Sequence, residues 1–182
     1  MRKKFFRRNA SGVTLVELVI TMSIMGILAV IAVVSMSETR TASKVEAAQK
    51  EVASEITLAK AYALQGKTQS GTTPCGYGVY FTATDKYRIY YNYQKSGKTC
   101  DETNTDSDYC HYRNGSSGKL DEKALSNGIT ATSGTDIYFT VPNARAHNAG
   151  GEFSGSVDIG LTVGSINKNV SVSGSGLVTI GE

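Results

Sequence analysis

The chain has 182 residues, a formal net charge of +3, three cysteines and no tryptophan, a length that suits one globular domain with appendages. Five of its basic residues, Arg2, Lys3, Lys4, Arg7 and Arg8, crowd the first eight positions, where there is no acidic residue. Without them 14 basic face 16 acidic side chains, a net of −2, so the bulk of the chain is not a basic nucleic-acid binder.

The basic leader passes through Ser11-Gly12 into the apolar stretch Val13–Val34, 22 residues long. As a helix it would measure about 33 Å at 1.5 Å per residue, against about 30 Å for a bilayer core. Lys and Arg beside such a span hold that flank on the cytoplasmic side, which places the rest of the chain outside. A secretory signal has an apolar core of only about 7–15 residues followed by a small-residue cleavage site. Here the run is longer, and Ser35-Met36-Ser37-Glu38 leads straight into more helix. Glu17 stands out: a carboxylate inside an apolar span is costly and marks function by default.

Arg7-Arg8-Asn9-Ala10-Ser11-Gly12-Val13-Thr14-Leu15-Val16-Glu17-Leu18 resembles the processing site of type IV prepilins and type II secretion pseudopilins, the class III signal peptide. In that family a short basic leader ends in Gly, the cut follows it, and Phe-Thr-Leu-Ile-Glu-Leu opens the mature chain. The resemblance implies that Gly12 precedes the cut. Val13 becomes the new N-terminus, N-methylated by the same prepilin peptidase, and Glu17 is the assembly carboxylate. Gly26 also matches. The chain departs from the pattern in having Val13 for the commoner Phe and Val34 where major pilins usually carry a helix-breaking Pro, which suggests a straighter helix. In a filament, the Val13 ammonium of one subunit can approach Glu17 of a neighbour. Each charge bears a desolvation penalty of several kcal/mol in an apolar surround, so the pair reads as a register device rather than a source of stability.

From Glu38 to Gln65 the pattern turns amphipathic. Val45, Ala48, Val52, Ile56, Ala59 and Ala63 recur at the 3–4 spacing of one helical face, and Leu58 and Tyr62 form a second apolar pair that would widen the buried face. No Pro interrupts residues 13–65, and Gly66-Lys67 supplies a C-terminal stop. One helix of 53 residues would be about 80 Å long. Its second half has a core to pack on, whereas its first half must find lipid or other copies of the chain.

Beyond Lys67 strand signals take over. Gly76–Thr82 and Tyr87–Tyr93 flank Ala83-Thr84-Asp85-Lys86 as a hairpin. Residues 95–119 read as a long exposed loop, and strands resume at Ile129–Ala131, Asp136–Val141, Ser156–Val163, Asn169–Ser173 and Leu177–Ile180. The expected fold is α+β: a long N-terminal helix, transmembrane in one half and amphipathic in the other, packed on a small antiparallel β-sandwich or curved-sheet head. The expected organisation is a leader at 1–12 that is removed, an assembly helix at 13–36, its amphipathic continuation at 37–66 and a β-rich head at 67–182. Leu58–Tyr91 and Asn167–Ile180 look similar to H-type minor pseudopilins and their minor-pilin relatives. Some DNA-uptake pilins of that group bind DNA through arginines just after a C-terminal glycine; here Gly176 is followed by Leu177, Val178 and Thr179.

An exported head permits disulfides, and three cysteines leave one thiol over. Cys75–Cys100 would close the hairpin base and tie the long loop to the sheet; Cys100–Cys110 is the alternative. Asn104-x-Asp106-x-Asp108 imitates the start of a calcium loop, and some pseudopilins bind calcium in such loops. Tyr109 replaces the sharp-turn glycine, however, and Gly115 falls where the bidentate Glu belongs. A solvated acidic loop is therefore the preferred reading, with calcium the lesser one. His111 and His147 have no zinc-like spacing partner and read as surface histidines. No catalytic constellation appears, so the chain reads as no enzyme.

Two functions are compatible with these features. One is a filament subunit, cleaved after Gly12 and assembled through its N-terminal helix with other pilin or pseudopilin subunits. Its partners would be prepilin peptidase, an inner-membrane assembly platform and, before assembly, membrane lipid. It would be a single-pass inner-membrane protein with its head extracytoplasmic, then part of a periplasmic or extracellular filament. The other is a membrane-tethered extracytoplasmic binding module that enters no filament.

Overall fold

A computed structural model describes residues 12–93, 117–126, 128–148 and 151–181, and of 33–38 the backbone alone. Among the described residues helix α1 runs Leu15–Leu64 and precedes ten strands: β1 Gly76–Ala83, β2 Lys86–Asn92, β3 Gly118–Ala124, β4 Thr130–Ala131, β5 Asp136–Thr140, β6 Ala146–Asn148, β7 Gly151–Glu152, β8 Ser156–Val163, β9 Ile166–Ser173 and β10 Val178–Ile180. The fold is α+β. By contacts the chain divides into two compact units, Met1–Arg40 and Thr41–Glu182.

In the second unit α1 presents its apolar stripe to the core. Val45, Ala48, Val52, Ile56, Ala59 and Ala63 are all buried, as the 3–4 spacing requires. The buried face is widened by Gln49 and Ala53, not by Leu58, which is 38 % exposed; Tyr62 packs edge-on against Tyr77, ring centroids 5.6 Å apart. The helix ends where Gly66 takes φ +55°. The Gly66 amide donates to the Ala63 carbonyl and the Lys67 amide to that of Tyr62, both at 3.1 Å, the paired closure of a Schellman end.

Two antiparallel sheets complete the core, one of six strands in the order β3-β2-β1-β5-β6-β7 and one of four, β10-β9-β8-β4. The period-2 alternation of strands sends Tyr77, Val79 and Phe81 of β1, Ile137 and Phe139 of β5, Ile159 and Leu161 of β8 and Val170 and Val172 of β9 into one cluster with the α1 stripe. On the opposite face of the larger sheet Tyr90 and Tyr138 stack at 5.9 Å. Tyr90 donates its hydroxyl to the buried Asp136 carboxylate at 2.7 Å. Gly78 pairs with both tyrosines in register, and a Cβ there would come within 2.7 Å of the Tyr90 ring.

Three strands lie where none was expected. β3 is charged along its length, with Lys119, Asp121, Glu122 and Lys123, because it is an edge strand and charge guards an edge from further pairing. Gly118 and Lys119 therefore belong to a strand rather than a loop. β6 and β7 have three and two residues, too few for an alternation to register. His147 is buried in β6 at 2 % exposure, correcting its reading as a surface residue. Cys75 is buried and disulfide-bonded. Its amide donates to the Asn92 carbonyl at 2.7 Å and its carbonyl accepts from Val141 at 2.9 Å, which prolongs the β1 ladder on both sides.

Candidate processing and assembly segment

Gly12, Val13 and Thr14 precede the helix. Thr14 is its N-cap: the Glu17 amide donates to Thr14 Oγ1 at 3.3 Å, and the Leu18 amide to the Thr14 carbonyl at 3.1 Å. Thr14 and Glu17 have the spacing of a capping box, and a carboxylate in the first turn also suits the positive end of the helix dipole. Thr14 is a residue that motif reasoning passed over; its signal was the Thr-x-x-Glu spacing itself.

From Leu15 to Ala32 the helix is apolar but for Glu17, Thr21 and Ser23. Leu15–Ala32 has a mean hydropathy of 2.4 and none of it is buried. Val13, Leu15, Met25 and Val30 are each at least 65 % exposed. Within the span the hydroxyls turn inward on the backbone: Thr21 Oγ1 donates to the Leu18 carbonyl at 3.0 Å and Ser23 Oγ to that of Val19 at 2.8 Å. This satisfies polar groups that lipid could not. Glu17 is exposed among Leu15, Val16, Leu18 and Val19, themselves exposed. A segment of this kind has an apolar surface to cover and one carboxylate to neutralise.

Residues 7–33 match the family model of the prokaryotic N-terminal methylation motif. The chain carries the type IV prepilin and pseudopilin signal. No curated protein and no solved structure matches the chain. The prepilin signal implies processing by prepilin peptidase and assembly with other pilin subunits, and with its apolar helix it fits a membrane-anchored protein. Gly12, Val13 and Glu17 all fall within the matched residues.

The second unit has a groove of ≈ 580 Å³ between α1 and β10, lined by Ala53, Ser54, Thr57, Leu58, Val178 and Ile180 among others. Among the described residues, the four large apolar side chains exposed outside the N-terminal span are Leu58, Leu64, Leu177 and Ile180: two line this groove and Leu177 adjoins it in sequence. Ionic clasps bind α1 to the larger sheet. Lys123 bonds the Glu55 carboxylate, which raises the Lys123 pKa above its ordinary 10.5. The Tyr87 hydroxyl donates to Glu51 at 3.1 Å; burial first, and then the Glu51 charge, push that phenol well up.

Cys100, Cys110, Asn104, Asp106, Asp108 and His111 lie outside the described residues. Among the described residues no three or more His, Cys, Asp or Glu side chains gather as metal ligands do.

Proposed function

We propose that the chain is a structural subunit of a type IV pilus or type II secretion pseudopilus and not an enzyme. Prepilin peptidase cleaves it after Gly12 and N-methylates Val13, and the subunit assembles through its N-terminal helix. The observation that carries this reading is the methylation motif at 7–33, which contains the 18-residue apolar span Leu15–Ala32 of α1, none of it buried. The small residues Ser54, Thr57 and Ala61 on the open flank of α1 also support it, since small side chains let neighbouring helices approach closely. The leader stays cytoplasmic and the head crosses to the outer side, where it ends in a periplasmic or extracellular filament. Val34 and the H-type resemblance of the head favour a minor subunit. In the exported head Cys75 pairs with Cys100, a choice supported by the position of Cys75 beside Asn92 at the hairpin base.

Intact-mass and N-terminal measurement of the protein from cells with and without prepilin peptidase tests the reading. A chain beginning at N-methylated Val13 only in peptidase-positive cells is expected. A chain that keeps its leader there overturns the proposal in favour of a tethered module. Non-reducing peptide mapping tests the disulfide, and a Cys75–Cys110 or Cys100–Cys110 linkage refutes the pairing.

A further inference from the structure

The end of the four-stranded sheet's outer face around Thr130, Thr162 and Asn167 is built from uncharged hydrogen-bonding groups. Ile159, Leu161, Val170 and Val172 take the inner positions, so alternation turns Gly160 and Thr162 of β8 and Asn167 and Asn169 of β9 outward. The register sets Thr130, Thr162 and Asn167 in one row and Gly160 opposite Asn169 in the next. Together with Thr132 they line a groove of ≈ 400 Å³, within the size range of small-ligand sites, about 300–1,000 Å³. Gly160 is its open floor: a Cβ there would meet only Asn169 Oδ1, at 3.6 Å. The Thr162 hydroxyl bonds Asn167 Oδ1 and Thr130 Oγ1 donates to the Thr162 carbonyl at 3.3 Å. Among the described residues the Asn169 amide and the Thr132 hydroxyl make no hydrogen bond, so donors and acceptors both remain for a ligand.

The lining is selective in what it lacks. It has no cation for phosphate, nucleic acid or an acidic sugar, no carboxylate for a metal or an amine, and no large apolar side chain for a hydrophobic anchor. The charge on this face is Asp158, opposite Ser171 in the row beyond Gly160 and Asn169; it would repel an anionic ligand and stands outside the lining. We propose that this groove binds an uncharged, hydroxyl-rich polysaccharide, whose hydroxyls exchange donor and acceptor roles with Asn167, Asn169, Thr132 and Thr130 while a ring C–H face lies over Gly160. The affinity of one groove is in the millimolar range, about what a few solvent-exposed hydrogen bonds supply. The site does not depend on the chain entering a filament.

The full chain in lipid nanodiscs is titrated with maltohexaose, cellohexaose and mannohexaose, and with a hyaluronan hexasaccharide as the charged comparison, by saturation-transfer NMR. At least one neutral hexasaccharide is expected to bind more tightly than the charged one. Gly160→Leu, which fills the floor, and Asn169→Ala, which removes an amide, are each expected to weaken it about tenfold at unchanged melting temperature. Asn169→Ala keeps the test open if Gly160→Leu perturbs the fold. The proposal is overturned if no neutral sugar binds up to about 10 mM, if the charged one binds equally well, or if the folded variants bind as the parent does. It also falls if no sugar binds and Gly160→Leu blocks assembly instead, since the groove is then a protein contact.

Discussion

The Gln49 side-chain amide, 1 % exposed, donates from Nε2 to the main-chain carbonyl of Asn169 at 2.7 Å and to that of Gly181 at the same distance. One polar side chain in the buried stripe of α1 thus holds β9 and the residue after β10 against the helix. Gln49→Leu keeps the volume but leaves both carbonyls without that donor. A cost of about 1–3 kcal/mol is expected for an unmet buried group, read as a lower unfolding midpoint of the full chain. An unchanged midpoint would mean that water replaces the amide at no cost.

Gly78 is required by the tyrosines that cross it. A Cβ there would lie 2.7 Å from the Tyr90 ring and 2.8 Å from the Ile137 carbonyl oxygen, and backbone cannot yield as a flexible side-chain end can. Gly78→Val should destabilise the head by about 1–3 kcal/mol or more through overpacking. Gly160→Val, in an equally extended strand but with open space above it, should change stability little, and equal losses at the two sites would refute the steric account.

The elements legible in the sequence were those whose local pattern and tertiary environment agree. The Val45–Ala63 stripe recurs and β8 alternates as their burial demands, while the β1–β2 hairpin and β5, buried on both faces along much of their length, were marked by their aromatic and β-branched runs. β3 was illegible because its sequence answers to its edge position and not to a buried face: Lys119, Asp121, Glu122 and Lys123 read as loop. β9 starts at Ile166, earlier than expected, because Asn167 and Asn169 alternate outward opposite Thr162 and Gly160 and hid the period. His147 looked polar and exposed since no local pattern reports that β6 is covered. The methylation motif at 7–33 was legible because a basic leader, a glycine and a lone carboxylate form a local chemical signature, whereas the Thr14 cap was passed over. What covers the segment is not local at all.

Alkaline pH should loosen the clasp between α1 and the larger sheet. The hydrogen bond to Glu55 raises the Lys123 pKa in the fold, so the native state holds that proton more tightly than the unfolded chain. The resulting stabilisation is full below about pH 10.5, the unfolded value, and is lost as pH rises through the elevated folded value. Tyr87, raised by burial and Glu51, acts in the same direction from about pH 10. Lys123→Met should therefore flatten the decline in unfolding midpoint above pH 10.5 relative to the parent, and Tyr87→Phe should flatten it further. If both variants keep the parent's alkaline slope, these groups do not couple to folding.

Glu17 is exposed among exposed apolar side chains, so its energetic consequence arises only when that surface is covered. In the proposed filament, covering it with the helices of other subunits would bury a carboxylate, and cleavage after Gly12 would free at Val13 an ammonium of complementary charge. Breaking a buried pair by removing one member costs about 3–5 kcal/mol, because the other charge stays buried alone. Glu17→Ala and Glu17→Gln should accordingly be cleaved after Gly12 at the parent's rate, since the leader and Gly12 are untouched. Neither should enter filaments at more than about a hundredth of the parent level. The two readouts separate the roles: immunoblots of the processed chain report cleavage, and sheared-filament yield reports assembly. Normal filaments from either variant would remove Glu17 from assembly, while uncleaved protein would place its role in processing instead.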